Sequence, residues 1–449
     1  MMKRSNILMA VFCILTVQLS AQELSLDSCK YSALEHNKKI KEAALHVDES
    51  EQIKKNAYTN FFPKVDAQAF AMKSSDYLLD ITTPEMNLPV YDGNIANLPN
   101  ATEFAYVPSQ EIQALDYLNI GMVTATQPVY AGGRIRSGYE LASLGKEIKE
   151  ESLIQSKQDV IVKTEEYYWT IVSLESKRRT LNSYEQLLDT LLNEVQISYD
   201  AGLIQKTDLL KVQLKINESN ANRLKLENGI DLTKMALCQH IGIEYSDAIT
   251  VEDTTFQIIA PESLYISPGT ALSNRTEYKM LNKAIDAEVL QKRMARGEFL
   301  PQVAVGVQGQ YLDMVDQQNT YGIAFATVSI PISDWWGGSY KLQEHEIKID
   351  LARNNLDEKS ELLKLQMEKM YSQLTESYKQ IDVAKSLREE AEEHLKVVRD
   401  NYDAGIMPTS DLLEAQAVYQ EAQDKLVDAK STYQIRQVYY KKAIAQLSY

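Results

Sequence analysis

The chain has 449 residues, with 47 Lys and Arg against 63 Asp and Glu and a formal charge of −16. Such acidity argues against nucleic acid or an anionic membrane surface as the main partner, and three cysteines cannot build a disulfide scaffold. Mean hydropathy is −0.32, and no apolar run of about 18 residues follows residue 21, so no mature transmembrane helix is expected.

Lys3 and Arg4 precede an apolar stretch from Ile7 to Leu19, and Leu19-Ser20-Ala21 supplies small residues. That order predicts a secretory signal peptide over residues 1–21, cleaved after Ala21, and an exported mature chain. Cys13 lies inside the apolar stretch and Cys29 lacks a small-residue run before it, so a lipid-modified N-terminus is not expected.

The remainder reads as two copies of one unit. Ala33-Leu34 and Phe62-Pro63-Lys64-Val65 recur 238 residues later as Ala271-Leu272 and Leu300-Pro301-Gln302-Val303. Tyr199-Asp200-Ala201-Gly202 and Asp208-Leu209-Leu210 recur 203 residues later as Tyr402-Asp403-Ala404-Gly405 and Asp411-Leu412-Leu413. Ordered landmarks of this kind point to duplication. The predicted divisions are residues 22–242, a connector over 243–269, and 270–449. The change of offset places an insertion of 35 residues in the first copy, within Lys73 to Asp116, where Pro84, Pro89, Pro99, Pro108 and Gly93 predict an irregular loop.

Each copy predicts helix, strand, strand, long helix, turn, helix. The expected helices cover 27–60, 134–199 and 207–241, then 270–297, 340–402 and 408–446. Apolar residues step by three and four along Leu181, Tyr184, Leu188, Leu191, Val195 and along Leu412, Ala415, Tyr419, Ala422, Leu426, the period of coiled-coil packing. The two long helices would each reach about 98 Å at 1.5 Å per residue. Matching lengths suggest that 207–241 stacks beneath 270–297, and 408–446 beneath 27–60. Period-two alternation marks strands at Val303, Val305, Val307; at Tyr321, Ile323, Phe325; at Val65, Ala67, Ala69; and at Leu118, Ile120, Met122. Strands of about ten residues can cross a bilayer when tilted. Tyr130, Trp335 and Trp336 sit near strand ends as candidate membrane-interface aromatics.

Four strands cannot close a barrel, and an open edge is forbidden in lipid, so an oligomer is expected. Two chains would give eight strands, three would give twelve and leave room for a pore.

Leu24-Ser25-Leu26, Phe61-Phe62-Pro63, Gln127-Pro128-Val129-Tyr130-Ala131-Gly132-Gly133-Arg134 and the paired Tyr-x-x-Gly tips resemble the TolC-like family of outer-membrane efflux proteins over the whole mature chain. The resemblance implies a mainly α fold with a membrane β-barrel. In it a homotrimer shares one 12-stranded barrel, four strands per chain, continuous with a coiled-coil helical barrel through the periplasm. It implies an exit channel in the outer membrane, embedded in its lipid, for a tripartite efflux pump or type I secretion system. A periplasmic adaptor and an inner-membrane pump would be the partners, without nucleic acid or cofactor. Copy two departs from the pattern at Pro331-Ile332-Ser333-Asp334-Trp335-Trp336-Gly337-Gly338, with two extra residues before its glycine pair.

The resemblance also implies site residues. The turns Gly202-Leu203-Ile204 and Gly405-Ile406 would meet the adaptor end to end, their apolar side chains being unusual at hairpin tips; packing between neighbouring tips is the other reading. Asp411 and Glu414 match acidic residues that ring the inner constriction, and Tyr402 matches one that helps hold it shut. Met407 stands where the family often has an arginine. Asp208 matches Asp411 through the repeat and either shares the gate or caps its own helix. Like charges gathered in one ring would raise some carboxylate pKa values and favour cations.

No enzyme is expected. His36, His46, His240, His345 and His394 show no metal-ligand spacing, and Cys29 and Cys238 could pair or remain buried thiols. The competing class is a periplasmic coiled-coil tethering protein without a pore.

Overall fold

The computed structural model describes residues 23–252, 256, 258–315 and 317–447; the expected signal peptide lies outside them. In chain order, β1 (Glu23–Leu24), α1 (Leu26–His36) and α2 (Lys38–Thr59) lead into β2 (Lys64–Lys73). An arm of β3 (Leu79–Thr82), β4 (Met86–Pro89), β5 (Phe104–Val107) and β6 (Glu111–Ala114) precedes β7 (Tyr117–Ala131). Then come α3 (Arg134–Asp200), α4 (Lys206–Ile241) and β8 (Thr250–Val251). The second half holds α5 (Pro268–Ala271), α6 (Thr276–Glu298), β9 (Gln302–Met314), β10 (Gln317–Ser329), α7 (Trp335–Asp403) and α8 (Thr409–Ala443). The chain forms two compact units. One is helical, built from residues up to Glu51, Leu144–Asp286 and Asp350 onward; the other, Gln52–Ser143 with Ala287–Ile349, carries the main sheet.

In the helical unit the coiled-coil period is realised. Leu181, Leu188, Leu191 and Val195 of α3 and Leu412, Ala415 and Ala422 of α8 are buried. Each fully buried leucine contributes roughly 1.5–3 kcal/mol, so these seams, not helix propensity, hold the long helices in place. One cluster gathers the ends of α3, α4, α7 and α8 around Leu191, Val212, Val398 and Leu412. A second surrounds Tyr168, Leu237 and Ile241, and a third Met367, Leu374, Tyr433 and Tyr440. The connector drapes Ile243, Tyr245 and Phe256 on the second and Ile258, Leu264 and Ile266 on the third. Phe256 stacks on Trp169 at 5.4 Å between ring centroids.

Two expected helices are broken, for one physical reason. Residues 27–60 do not form one helix, because Asn37 turns extended (φ −65°, ψ 129°) between α1 and α2. Its side-chain carbonyl accepts from the Lys39 amide at 2.9 Å, starting α2, while its amide donates 2.7 Å to the His240 carbonyl. That carbonyl belongs to the last turn of α4, which has no intrahelical donor left. Likewise α6 starts at Thr276, not 270, because Arg275 is extended (φ −67°, ψ 131°). Arg275 donates 2.7 Å to the Ala443 carbonyl at the end of α8. Asn37 and Arg275 differ by 238 and their acceptors by 203, the same offsets that relate the two copies. The helix ends are therefore joined within each copy, not crosswise as the lengths suggested. Leu34 and Leu447 nonetheless share one small cluster, so the two ends of the chain do approach.

Both helices end in the same left-handed turn. Ile243 N–H donates to Cys238 O at 3.0 Å and Gln446 N–H to Lys441 O at 2.8 Å, the six-to-one bond of a Schellman motif. Gly242 (φ 76°) permits it in α4, where a Cβ would lie 2.5 Å from His36 Cβ. His240 donates from Nε2 to the Val160 carbonyl at 3.1 Å, and burial pushes its pKa down. The unfolded chain therefore binds more protons below about pH 6.5, so this joint loses stability as pH falls through that range. Asn37→Ala leaves the His240 carbonyl buried without its donor. It should cost about 1–3 kcal/mol, read as a lower thermal midpoint; an unchanged midpoint would mean the joint contributes nothing.

The sheet unit holds four antiparallel strands in the order β10–β9–β7–β2, so β7 and β9 join the hairpins of the two copies. β10 and β2 are open edges. The insertion is not irregular as expected: β3 pairs β6 and β4 pairs β5. Leu79 and Ile81 alternate with Asp80 and Thr82, while Pro84 and Pro108 fall between the ladders and punctuate them without preventing them. The glycine pairs of the two copies also diverge. Gly132 (φ 63°) turns the chain before α3, and its Cβ position is blocked by Gly297 O at 2.3 Å. Gly337 and Gly338 instead lie inside α7, which begins five residues before the expected start, at Trp335.

Candidate functional site

The helix tips come first. α3 and α7 end in matching turns: Leu203 N–H donates to Ser198 O and Ile406 N–H to Asn401 O, each at 2.9 Å. Gly202 and Gly405 both adopt φ 72°, a left-handed position where a Cβ is disfavoured. Leu203 is 78 % exposed and Ile406 73 %. Ile204 and Met407, one residue further, turn the other way and pack on the four-helix cluster. Each tip thus exposes one apolar side chain and anchors itself with the next, a division invisible in the sequence.

The candidate gate residues lie in the first turns above those tips. Tyr402 packs on the same cluster, with its hydroxyl hydrogen-bonded to the buried Thr409, and burial pushes its pKa up. Asp208 does not cap α4: the N-cap is Gln205, and Asp208 sits in the first turn, paired with Lys211 at 3.3 Å. Glu414 is the repeat equivalent of Lys211. Copy two therefore carries two acids where copy one carries a neutralised pair. Asp411 and Glu414 are both exposed, and among the described residues neither meets a base. Asp411 accepts only from Ser410 Oγ at 3.1 Å.

The sheet's two faces differ in chemistry. Pairing sets Val65, Ala125, Val307 and Ala324 in one row, with Ala67 and Val123 in the next. This valine and alanine face is bare, with Val65 66 % and Val307 59 % exposed. The apolar sets of directly paired strands do not share a face. Leu118, Ile120 and Met122, with Ile323 and Phe325, fall on the opposite face beside Lys64, Asp66, Gln68, Thr124 and Gln308. At Pro128/Tyr130 a bulge shifts the register, so Tyr130 pairs Val303 and joins the valine face. Tyr311 stands eight residues along β9 from Val303 on that face, about 27 Å at 3.4 Å per residue. Trp335 and Trp336 occupy the first turn of α7, shortly after the end of β10 at Ser329, and the Trp335 indole donates to Phe299 O at 2.8 Å.

Other chemistry is sparse. Cys29 and Cys238 are free, buried and in one cluster. Burial, helped by the neighbouring Cys238, pushes the Cys29 thiol up to about 12, far from the thiolate that exchange chemistry needs. Among the described residues no three His, Cys, Asp or Glu are grouped to hold a metal, and no helix is long and apolar enough to cross a membrane.

Comparison with known proteins fits this architecture. The family profile "Outer membrane efflux protein" matches residues 30–242 and 268–445. The chain is 23 % identical over 331 residues to the alkaline protease secretion protein AprF of Pseudomonas aeruginosa, covering 70 % of this chain and 67 % of that one. To the outer membrane protein TolC of Salmonella enteritidis it is 20 % identical over 328 residues, covering 69 % and 66 %; the chain thus spans about two thirds of each relative. Its fold is similar to that of the Campylobacter jejuni CmeC outer membrane channel, with a TM-score of 0.73 and 15 % identity over 94 % of this chain and 85 % of that one. With the profile covering both halves of the chain, the protein belongs to the outer membrane efflux protein family: it is an outer-membrane efflux channel, a transport protein and not an enzyme.

Proposed function

We propose that three copies of this chain share one 12-stranded barrel, four strands each, and form the exit duct of a tripartite efflux pump or type I secretion system. The observation that carries this is a sheet with two open edges and a bare valine and alanine face. Lipid accepts the face and rejects the edges, because unpaired N–H and C=O groups cost several kcal/mol each there. β2 and β10 run in opposite directions, so β2 of one copy can pair antiparallel with β10 of the next, and twelve strands close. Within the barrel the valine face meets lipid and the face bearing Lys64 and Asp66 lines the pore; Tyr130 and Tyr311 mark the interfaces. A tethering protein has no use for such a sheet.

The helices support the same assembly. On α7, Leu351, Leu365, Val383 and Val397 are all exposed and recur at multiples of about one helical turn. A second copy would cover this stripe, as in a coiled coil. Leu365→Glu with Val383→Glu should convert the trimer to monomers, read as molar mass by light scattering in detergent. A trimer that survives both charges would place the interface elsewhere. The repeats over 22–242 and 270–449, linked by 243–269, would then supply a pseudo-sixfold helical wall in the periplasm.

At the tips, Leu203 and Ile406 would seat an adaptor that links the duct to an inner-membrane pump. AprF is named for alkaline protease secretion and CmeC as an outer membrane channel; either type of export machinery suits this duct. Purified protein should run as a trimer and conduct ions across planar bilayers. A soluble, non-conducting chain would overturn the proposal. The arm between β2 and β7 would lie outside the cell. A tag inserted after Asn94 should then be reached by antibody on intact cells, whereas detection only after permeabilisation would reverse the topology.

A further inference from the structure

We infer, on the basis of the shared barrel proposed above, that the outer half of the pore wall is an apolar collar which, with the acidic arm beyond it, forms an exit selective for amphipathic organic cations. The four strands are paired without slippage along β2–β7 and β9–β10, and the one irregularity of β7–β9 lies at Pro128/Tyr130, the inner end. A sheet exchanges its faces only through such a slip. One face therefore meets lipid along its whole length, and the inner rows decide which.

In the inner rows the second face carries Lys64 and Asp66 beside Thr124, Thr126 and Gln308, while the first carries Val65, Val307 and Ala324. A lysine facing the bilayer midplane costs about 2–4 kcal/mol, so the second face must line the pore. Ile323 and Phe325 already lie among these polar residues. Following the same face outward, the charged residues and threonines give way to apolar ones on three of the four strands. Phe70, Ile120 and Leu312 form one row across β2, β7 and β9, completed on β10 by Asn319, and Met72, Leu118 and Met314 form the next, completed by Gln317. On the lipid face of the outer half, Ala69 and Gly121 lie beside Tyr311, and in the next row Ala71 lies beside Asn119, which donates to Asp313 at 3.3 Å. The outer rows of the pore face are thus predominantly apolar, in a wall where water is expected.

The arm supplies the second half of the preference. Residues 74–116 continue directly from the collar end of β2 and return into β7. They hold seven Asp and Glu and no Lys or Arg, and one of the seven, Asp116, is paired with Lys73 at the end of β2. An acidic field of this kind concentrates cations at the mouth, and the collar then removes the nonpolar part of the molecule from water at about 25 cal/mol per Å². Phe70 adds a ring face that attracts a cation. A hydrophilic ion gains the first effect only.

Planar-bilayer recordings on the full-length protein test this with two monovalent probes, tetraphenylphosphonium and tetramethylammonium, added from the arm side. Tetraphenylphosphonium should block at a concentration at least about tenfold lower, a difference of about 1.4 kcal/mol, and the advantage should vanish in Phe70→Ser with Ile120→Ser and Leu312→Ser. Equal block by both ions in the wild type, or an advantage that persists in the triple variant, overturns the collar. Should that variant fail to assemble, single cysteines decide the matter. Ile120→Cys should react with a membrane-impermeant thiol reagent in reconstituted channels and Val307→Cys should not. The reverse pattern overturns the assignment of faces. Ile120→Cys reacting only after the arm is cut by protease would mean that the arm's own apolar side, with Leu79, Ile81 and Ile112, occupies the collar, and overturns the cation proposal. Failure of the shared barrel itself would look different, as a monomer without conductance.

Discussion

Leu203→Glu with Ile406→Glu should stop export while leaving the proposed trimer and its barrel intact. The two side chains are the exposed halves of the tip turns, whereas Ile204 and Met407 anchor those turns on the four-helix cluster. Removing two apolar anchors costs an adaptor roughly 3–6 kcal/mol for each copy, on the order of a hundredfold or more in affinity, and adds charge to a surface it must desolvate. Cargo appearing outside the cell measures export, and molar mass in detergent measures assembly. Ile204→Glu is the contrasting variant: it puts charge into the cluster and should lower the thermal midpoint as well. Normal export from the Leu203 and Ile406 double variant would mean that the tips do not dock a partner.

Asp411→Asn with Glu414→Gln should weaken cation selectivity and raise the concentration at which a trivalent lanthanide blocks the pore from the periplasmic side, by at least about tenfold. Three copies would place these carboxylates in a ring, and like charges gathered in a narrow space attract multivalent cations strongly. Asp208→Asn serves as the control. Lys211 already neutralises Asp208 at 3.3 Å, whereas the equivalent position in copy two is Glu414 itself. A block unchanged in the double variant would assign these acids to an ordinary solvated surface.

Much of this architecture is legible in the residues, for identifiable reasons. The three-and-four stepping of Leu188, Leu191 and Val195 reports packing directly, since those residues are buried at that spacing. Strand alternation is equally local, and all four expected strands are present. What escaped depends on partners far along the chain. Asn37 breaks a helix only because the His240 carbonyl, 203 residues away, needs a donor. Nothing local separates it from a surface asparagine. Arg275 is the same case in copy two, and its buried bond to Ala443 could be guessed only by aligning both joints.

The sheet faces were not legible for a related reason. Each strand's alternation gives two faces but does not say which of them coincides with a neighbour's. Met122 opposite Gln68, and Ile323 opposite Gln308, are facts of register. The insertion was misread because its prolines were weighed as breakers, although Pro84 and Pro108 fall between ladders. Of the candidate site, the acidic pair Asp411 and Glu414 and the tip glycines were visible from the sequence. The inward turn of Ile204 and Met407 was not, nor was the Tyr402–Thr409 bond. The first follows from the tight turn after a left-handed glycine, which sends successive side chains to opposite sides.

The shared barrel is tested most directly by cysteines on the two open edges. Val65, Ala67 or Ala69 of β2 would be combined in turn with Ala324, Ala326 or Val328 of β10, all on the lipid face. Within one chain β2 and β10 are separated by β7 and β9, about 14 Å at 4.7–4.9 Å per strand. A disulfide requires Cα atoms within about 7 Å, so any bond between the edges must join two chains. Oxidation of the best-registered pair should give covalent dimers and closed trimers on denaturing gels, lost on reduction, with conductance retained. Monomers alone from every pair, in protein reconstituted in lipid, would contradict a barrel shared between copies.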